Sequence, residues 1–509
     1  MITISNMLYD VIVKFGYIID EKIHHDKLIG LIKDCIIRKR QELKWIEPNN
    51  IPLFINRVDL FYYHHKYNID PKKFKGITKL DVGSNLDADD TDKIYQIVSL
   101  KKLYLRYGNK RILNLNKIDN LINLTTLYIY DYNFDNSQTI NITKLINLEK
   151  LYIGNCLCNN ISEYLPNLTK LKTLFIALST GDIKSKDICK IERLKKLYIS
   201  NIVSENMRSD DICKLTDLIE LNMKYCKQKE MKITDINKLT NLTYLNIKFC
   251  IYDIKSLLNL TKLKKLCIGC NDFANKYEDL NKLISLTHLN ANGSEILKSK
   301  YFDKLINLKT LKLRGCGEGG RSSYNTNDNI HIQDIVKLVN LTTLNLSHCR
   351  FYIGYGIENI GTLTKLTSLN ISGCKSPNMK SKYLTGLINL TELDISYCDC
   401  DRMKTKYISN LINLNKLLMN CCNQYTIKSK DLVGLINLKK LEIQECDQRQ
   451  MKSKYLKGLI NLEKLNIIDC NMNTMLLKDI CELKKIKNIS LNRYMFNIYH
   501  YDGKISKFE

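Results

Sequence analysis

The chain has 509 residues, with 78 Lys and Arg against 53 Asp and Glu, so its net charge is +25. A chain of this length ordinarily divides into roughly three or four globular domains, and no apolar run is long enough to span a bilayer, which argues against an integral membrane protein. The charge favours acidic proteins, nucleic acid or an anionic membrane surface as partners if one face concentrates it, and means little if codon bias merely enriched Lys.

Residues 1–76 are predicted to form a small helical N-terminal segment, which is either a cap that covers the exposed apolar end of the following repeats or an adaptor segment. Two amphipathic helices are indicated by apolar residues three and four apart, which are Leu8, Val11, Ile12 and Phe15, then Leu28, Leu31, Ile32, Cys35 and Ile36. Pro48 and Pro52 break the chain, and a third helical piece is predicted over Leu53 to Tyr67. A signal peptide would need an unbroken apolar run near the N-terminus, and Asp10 interrupts that run, so no signal peptide is predicted.

The rest of the chain, 77–494, repeats one short pattern, of which Asn389-Leu-Thr-Glu-Leu393-Asp-Ile395-Ser-Tyr-Cys398 is an example. Taking the first apolar residue as position 1, eighteen units begin at Ile77, Leu100, Leu124, Leu148, Leu171, Leu194, Leu218, Leu242, Leu263, Leu286, Leu308, Leu341, Leu366, Leu390, Leu414, Leu438, Leu462 and Ile486. Position 4 is Leu in every unit but the last, which has Ile489. Positions 4 and 6 predict a strand with two inward side chains, and such a strand is covered only when copies stack on both sides.

This pattern, L-x-x-L-x-[LI]-x-x-[CN], resembles the leucine-rich repeat family over 77–494. The half that ends each unit, as in Gly386-Leu-Ile-Asn-Leu390, is similar to internalin-like repeats, and Cys at the ninth position is similar to the repeats of F-box adaptors. The resemblance implies an α/β fold, a right-handed solenoid with a concave parallel sheet and short helices or 3-10 turns on the convex side. The richness in Lys, Asn, Ile and Tyr is typical of an AT-biased genome, such as that of a giant virus that infects amoebae.

Two segments depart from the repeat. Residues from Gly315 to Asp328 lengthen one unit by about nine residues and are rich in Gly and Ser, which predicts either a projecting binding loop or a tolerated insertion. The pattern frays after Ile486, and 495–509 is interpreted as a tail.

The 19 cysteines are odd in number, and most share position 9, so a reducing, intracellular compartment is expected and not a disulfide scaffold. A small side chain turned inward there can donate to backbone carbonyl groups, so the column is interpreted as structural. Cys267 and Cys270 form the one C-x-x-C, without a second pair at zinc-finger spacing. No pattern indicates a catalytic group, a metal site or a cofactor, so the chain is predicted not to be an enzyme.

Position 5 should face solvent on the concave sheet, and in five consecutive units it is aromatic. The residues are Tyr104, Tyr128, Tyr152, Phe175 and Tyr198, with basic residues nearby at Lys102, Arg106, Lys150 and Lys196. Later units have Asn in this column, for example at Asn222 and Asn345. A row of exposed rings with a polar rim is typical of a protein-binding surface, although rings can also brace a sheet.

A second column has the motif Lys-Ser/Thr-Lys in four consecutive units. Its lysines are Lys380, Lys382, Lys404, Lys406, Lys428, Lys430, Lys452 and Lys454. Like charges stacked within a Debye length of about 8 Å repel each other, and a bound polyanion would relieve that repulsion. Long side chains that splay into water would explain the column equally well.

Taken together, the sequence favours a non-catalytic, monomeric protein-binding scaffold that uses the aromatic column. Two alternatives stay open. Residues 1–76 could act as an F-box-like segment that recruits other machinery, although the Leu-Pro opening of that motif is missing, or the basic column could bind nucleic acid or another anionic surface.

Overall fold

The structure is a computed structural model in which one long parallel sheet runs through the chain. It describes residues 54–56, 77–82, 92–106, 112–113, 115, 117–134, 142–156, 161–178, 183–202, 204–226, 232–269, 276–294, 296–316, 330–349, 357–374, 380–398, 405–421, 428–444, 452–468 and 483–491. Within these ranges nineteen strands belong to the sheet and every pairing is parallel, each strand lying beside the next one along the chain. The concave parallel sheet that the repeat predicts is therefore confirmed.

The strands are short because most of them cover only positions 3 to 5 of a unit, and some extend to position 6 or 7. They are β1 (Phe54–Asn56), β2 (Lys79–Val82), β3 (Lys102–Leu105), β4 (Ile112–Leu113), β5 (Thr126–Tyr130), β6 (Asn133–Phe134), β7 (Lys150–Gly154), β8 (Thr173–Ala177), β9 (Lys196–Tyr198), β10 (Glu220–Asn222), β11 (Tyr244–Asn246), β12 (Lys265–Cys267), β13 (His288–Asn290), β14 (Thr310–Lys312), β15 (Thr343–Asn345), β16 (Ser368–Asn370), β17 (Glu392–Asp394), β18 (Lys416–Leu418), β19 (Lys440–Gln444), β20 (Lys464–Ile468) and β21 (Asn488–Leu491). Strands β4 and β6 form a separate two-stranded pair.

The convex side carries short helices, one turn each in most units. The α-helices are α1 (Ile161–Tyr164), α2 (Ser185–Ile188), α3 (Ser209–Ile212) and α4 (Ile332–Ile335). The 3-10 helices are Ile118–Asn120, Leu165–Asn167, Ile233–Lys238, Ile254–Leu257, Leu280–Lys282, Ser299–Tyr301, Ile357–Thr362, Ser381–Leu384, Thr405–Tyr407, Ser429–Asp431 and Ser453–Gly458. In the part of the chain that is described, no helix is both long and apolar enough to cross a membrane.

The core is one continuous apolar interior between the sheet and these helices. Leu390, Leu393 and Ile395, at positions 1, 4 and 6 of their unit, are each at most 1% exposed. The strand registers align Leu393 with Leu369 before it and Leu417 after it, so the position 4 side chains stack in one file. Stacking thus covers the side chains that a single strand could not bury, as the repeat predicts.

One prediction for the N-terminal segment is wrong at the three residues of it that the structure describes. The sequence predicts a helix over Leu53 to Tyr67, but Phe54–Asn56 forms β1, which pairs in parallel with β2 so that Ile55 lies opposite Leu80. Without β1, strand β2 would be the edge of the sheet and would have unpaired backbone N–H and C=O groups on its outer side. Strand β1 pairs with these groups. The predicted helices before Phe54, the greater part of the insertion and the tail 495–509 lie outside the described residues.

Three columns of polar side chains link successive coils. Asn389 Nδ2 donates to the carbonyl oxygen of Thr364 at 2.9 Å, and Thr391 Oγ1 donates to that of Thr367 at 2.9 Å, in each case one coil earlier. The third column is the ninth-position Cys, where Cys398 Sγ lies 3.2 Å from the carbonyl oxygen of Ile371. The same partner, position 6 of the preceding unit, recurs for Cys156, Cys226, Cys250, Cys316, Cys349 and Cys374. The structural interpretation of the Cys column agrees with this geometry.

Candidate functional site

The five aromatic residues of position 5 lie side by side on the concave face. Parallel pairing puts them in register from β3 to β9, and neighbouring ring centroids are 6.1, 5.7, 6.0 and 5.8 Å apart in chain order. The ring planes tilt by 36 to 38° against each other. All five residues are half-buried, with part of each exposed to solvent. We call this set the aromatic ladder.

Cations flank the aromatic ladder on both sides. Lys102 and Lys150, at position 3, are exposed, while Arg106, at position 7, lies over the first two rings with its Cζ 5.2 Å from the Tyr104 centroid and 5.4 Å from the Tyr128 centroid. Asp81 holds Arg106 in this place through an ion pair of 3.2 Å. The Arg106 guanidinium thus covers the Tyr104 end of the aromatic ladder.

A carboxylate closes the other end. The Tyr198 hydroxyl donates a hydrogen bond to Glu220, which also pairs with Lys196. Burial raises the pKa of Tyr198, and the neighbouring carboxylate raises it further. Burial alone would raise the pKa of Glu220, but its hydrogen bonds from Lys196 and Tyr198 outweigh burial and lower it. The five rings and the four nearby cations that the sequence names therefore lie together on this face. Lys196 is the one among them that already pairs with Glu220.

Position 7 carries small residues in the units of the third and fourth rings. Here Gly154 and Ala177 are buried small residues on the same sheet face, and a Cβ atom at Gly154 would lie 2.7 Å from Cδ2 of Tyr130. Tyr130 thus occupies the space that the glycine leaves, and its ring lies 6.4 Å from that of Tyr128. Tyr130 is an aromatic residue of this face that the sequence analysis missed.

The sequence analysis also missed the column at position 8, where the backbone turns out of the strand in the left-handed region. Positive φ angles occur there at Asp131, Asn155, Leu178, Asn201, Tyr225, Phe249, Gly293, Gly315, His348, Gly373, Tyr397 and Cys421. The N–H of each turn donates to position 7 of the next unit, as Tyr225 does to the carbonyl oxygen of Lys248 at 3.0 Å. Glycines at 293, 315 and 373 are the sequence signal that could have revealed this turn.

The basic column lies on the opposite, convex side, at the start of the 3-10 helices. Ser381, Thr405 and Ser429 of this column are fully buried. Thr405 Oγ1 accepts the backbone N–H of Lys428 at 3.0 Å and donates to Asp431 Oδ2 at 2.6 Å in the next coil. The second lysine lies over the next residue where that is Tyr, with Nζ 5.4 Å from the Tyr383 centroid in the case of Lys382. Lys404 lies outside the described residues.

The described part of the chain has no arrangement of side chains typical of a metal site. No group of three or more His, Cys, Asp or Glu side chains there is arranged to hold a metal ion. Cys267 ends β12 and is partly exposed, and Cys270 is not among the described residues. Burial raises the pKa of the Cys226 thiol, which makes it a poor nucleophile.

No family model and no curated protein matches this sequence. Among solved structures, a leucine-rich repeat protein of Leptospira interrogans is 21% identical, covers 80% of this chain and 99% of its own, and has a TM-score of 0.53. Toll of Drosophila, solved in a complex with Spatzle, is 15% identical over 82% of this chain and 57% of its own, with a TM-score of 0.50. An internalin of Listeria monocytogenes, 23% identical over 73% of this chain and 88% of its own, superimposes less well, with a TM-score of 0.38. The likeness is one of fold, and the fold of this chain is the leucine-rich repeat solenoid.

Proposed function

We propose that the protein is a non-catalytic scaffold that binds a protein partner on the aromatic ladder. The observation that carries the proposal is a continuous row of five half-exposed rings on an open sheet face, with cations at its margin. Apolar surface of this kind on an otherwise polar face is typical of interaction sites, and aromatic and Arg side chains are enriched among the residues that dominate binding energy.

Bracing of the sheet alone does not account for the ladder. From β10 onwards the same column holds no aromatic residue and is mostly polar, as at Asn222 and Asn345, and these strands pair in the same parallel register as the aromatic ones. The sheet therefore forms without rings at position 5. Toll, whose fold is similar, was solved with a protein bound, which supports protein binding as a use of this architecture.

The ladder spans four inter-strand steps, or about 19 Å, which suits an extended segment or one helix of a partner. A twelve-residue random peptide library displayed on phage can be selected on the full chain, and the affinity of the best peptide measured by fluorescence anisotropy. Replacing Tyr128 and Tyr152 with Ala should weaken that affinity at least tenfold with little change in melting temperature, because a central ring typically contributes about 2 kcal/mol.

The matched control is Leu418→Ala, which truncates an apolar residue of the same column far along the sheet, in β18. It should leave the affinity unchanged. If the ladder variant melts early, or binds the peptide as well as the wild type does, the rings serve the sheet and the proposal is wrong.

A second candidate is polyanion binding by the basic column. Seven of its lysines are described, and none of them forms an ion pair with an acid in that part of the chain. Replacing Lys382, Lys406, Lys430 and Lys454 with Ala should flatten the dependence of log affinity for duplex DNA on log salt, by up to about 0.9 for each phosphate that is no longer neutralised. A control variant with the same loss of charge has Ala at Lys170, Lys262, Lys365 and Lys485. These lysines donate hydrogen bonds to the Asn that precedes position 1 of a unit, as Lys170 does to Asn147. Equal effects of both variants would reduce the candidate to net charge alone.

Two further expectations belong to this proposal. An intracellular, reducing compartment suits thiols that serve as hydrogen-bond donors between coils, and we expect a monomer. The F-box-like alternative depends on residues 1–76, of which the structure describes only the short β1, so it stays a hypothesis whose test is capture of other machinery by that segment.

A further inference from the structure

We infer that the binding surface continues from the aromatic ladder onto position 8 turns beside and beyond it, and that it takes an acidic protein segment that also carries aromatic or apolar side chains. This inference rests on the proposed function of the ladder. Its added residues are Leu178, Tyr225 and Phe249, which we call the apolar rim.

The apolar rim consists of side chains that the core does not use. Leu178 is 50% exposed and Tyr225 38% exposed, and Phe249 is partly exposed beside it. The rings of Tyr225 and Phe249 stack in parallel, with centroids 3.8 Å apart and planes within 14°. Such a pair holds a flat apolar surface in place at the edge of the sheet.

The backbone does not favour these residues either. Leu178, Tyr225 and Phe249 have φ angles of 53, 63 and 61°, in the left-handed region that Gly and Asn adopt with less strain. The same turn is made by Gly293, Gly315 and Gly373 in later units. The turn belongs to the repeat, but the repeat requires no bulky exposed side chain there, and a Gly or Asn would make the same turn with less strain.

The rim is continuous with the ladder. Strand β8 carries Phe175 of the ladder and is followed directly by Leu178, with the buried Ala177 between them. The next strand, β9, ends at Tyr198 of the ladder, and its turn residue is Asn201. Tyr225 and Phe249 follow in the two units after that. Ladder and rim together span six inter-strand steps, or about 29 Å, which an extended segment covers with about nine residues.

The charge of this face sets the chemistry of the partner. From β2 to β11, the described residues at positions 3, 5 and 7 include seven cations and two carboxylates. Both carboxylates are already paired, Asp81 with Arg106 and Glu220 with Lys196. Lys102 and Lys150 flank the ladder without an acidic partner in the described chain, and Lys224 Nζ lies 4.8 Å from the Tyr225 centroid and 5.7 Å from that of Phe249. Acidic side chains beside apolar ones complement this arrangement.

Glycine is the informative replacement at the rim. In Tyr225→Gly/Phe249→Gly, relief of the left-handed backbone offsets the missing ring stacking, so the melting temperature should stay within a few degrees of the wild type. The control, Tyr397→Gly, removes an exposed ring with a φ of 55° from the same column, far from the ladder.

The test uses the same twelve-residue phage library. Selection on the full chain should enrich peptides with a net negative charge and an aromatic residue, and the best of them should bind the rim variant at least tenfold more weakly. Tyr397→Gly and the variant with Ala at Lys170, Lys262, Lys365 and Lys485 should bind it within twofold of the wild type. Enrichment of neutral or basic peptides, or full affinity of the rim variant, would overturn the inference. Loss of affinity in the Tyr128 and Tyr152 variant alone would leave the proposed function intact while removing the rim.

Discussion

The Ser185 hydroxyl donates a hydrogen bond of 2.7 Å to Asp211 Oδ2, which belongs to the next coil. Ser185 also accepts the backbone N–H of Arg208 at 3.0 Å, and Asp211 receives a second bond from Lys214 at 2.8 Å. The same contact joins Ser209 to Asp235, and Thr405 to Asp431. A buried hydroxyl and a carboxylate thus fasten each of these helices of the convex side to the next one, and they supplement the apolar stacking.

The first prediction concerns this contact and its dependence on pH. Burial would raise the pKa of Asp211, but the hydrogen bonds from Lys214 and Ser185 outweigh it and lower the pKa in the folded state. The stabilisation is therefore complete above the unfolded pKa of about 3.9 and is lost as the pH falls through the folded value. Asp211→Asn should lower the free energy of unfolding by about 1 to 2 kcal/mol at pH 7, and by less once the pH is below the unfolded pKa, as urea unfolding at pH 7 and pH 3 can measure.

Asp210→Asn is the matched control, because its side chain is exposed one residue earlier. Its free energy of unfolding should change by less than about 0.5 kcal/mol at either pH. An Asp211 variant whose loss of stability is the same at pH 3 and pH 7 would show that the carboxylate charge contributes nothing.

The second prediction separates two glycines of the same Gly-Leu-Ile-Asn-Leu motif. A Cβ atom at Gly386 would lie 2.4 Å from the backbone oxygen of Gly361 in the preceding coil, whereas one at Gly434 would lie 3.6 Å from its nearest neighbour, the oxygen of Ser409. Gly386→Ala should therefore lower the free energy of unfolding by about 1 to 3 kcal/mol. Gly434→Ala should raise it by about 0.4 to 1 kcal/mol, because Ala restricts the unfolded chain. Equal effects in thermal unfolding would contradict the packing of these two coils.

The third prediction concerns the Cys column. The thiols of Cys156, Cys226, Cys250, Cys316, Cys349, Cys374 and Cys398 are buried. Burial also raises the pKa of Cys316 well above the ordinary thiol value, so almost no thiolate is present at pH 8. Iodoacetamide should leave these seven unmodified in the folded protein, and N-ethylmaleimide should label them after denaturation, as peptide mass spectrometry can show. Modification in the folded state would mean that the column is accessible.

The sequence predicts the sheet, its parallel order and the inward residues well, because Leu393 and its equivalents impose a period of two that only one register can bury. It fails where a local signal is ambiguous. Ser381 and Thr405 are fully buried, but their neighbours are lysines, so the motif resembles a charged surface. Tyr225 and Phe249 have no preference for a left-handed turn, so only the alignment of their column with Gly293 and Gly373 could have placed them. For the candidate site, the register of the rings could be predicted, but their mutual tilt and half-burial depend on packing between side chains.

The last prediction asks what Tyr198 contributes at the end of the aromatic ladder. Its ring lies 5.8 Å from that of Phe175, and its hydroxyl donates to Glu220. If the ring supplies contact area, Tyr198→Phe should bind the selected peptide within twofold of the wild type, since Phe175 already occupies the same column without a hydroxyl. Removing the hydrogen bond to a charged acceptor should lower the free energy of unfolding by about 1 to 2 kcal/mol. Tyr198→Ala should instead weaken binding at least tenfold. If Tyr198→Phe loses affinity as strongly as Tyr198→Ala does, the hydroxyl and its carboxylate partner, and not the ring, form the contact at this end of the ladder.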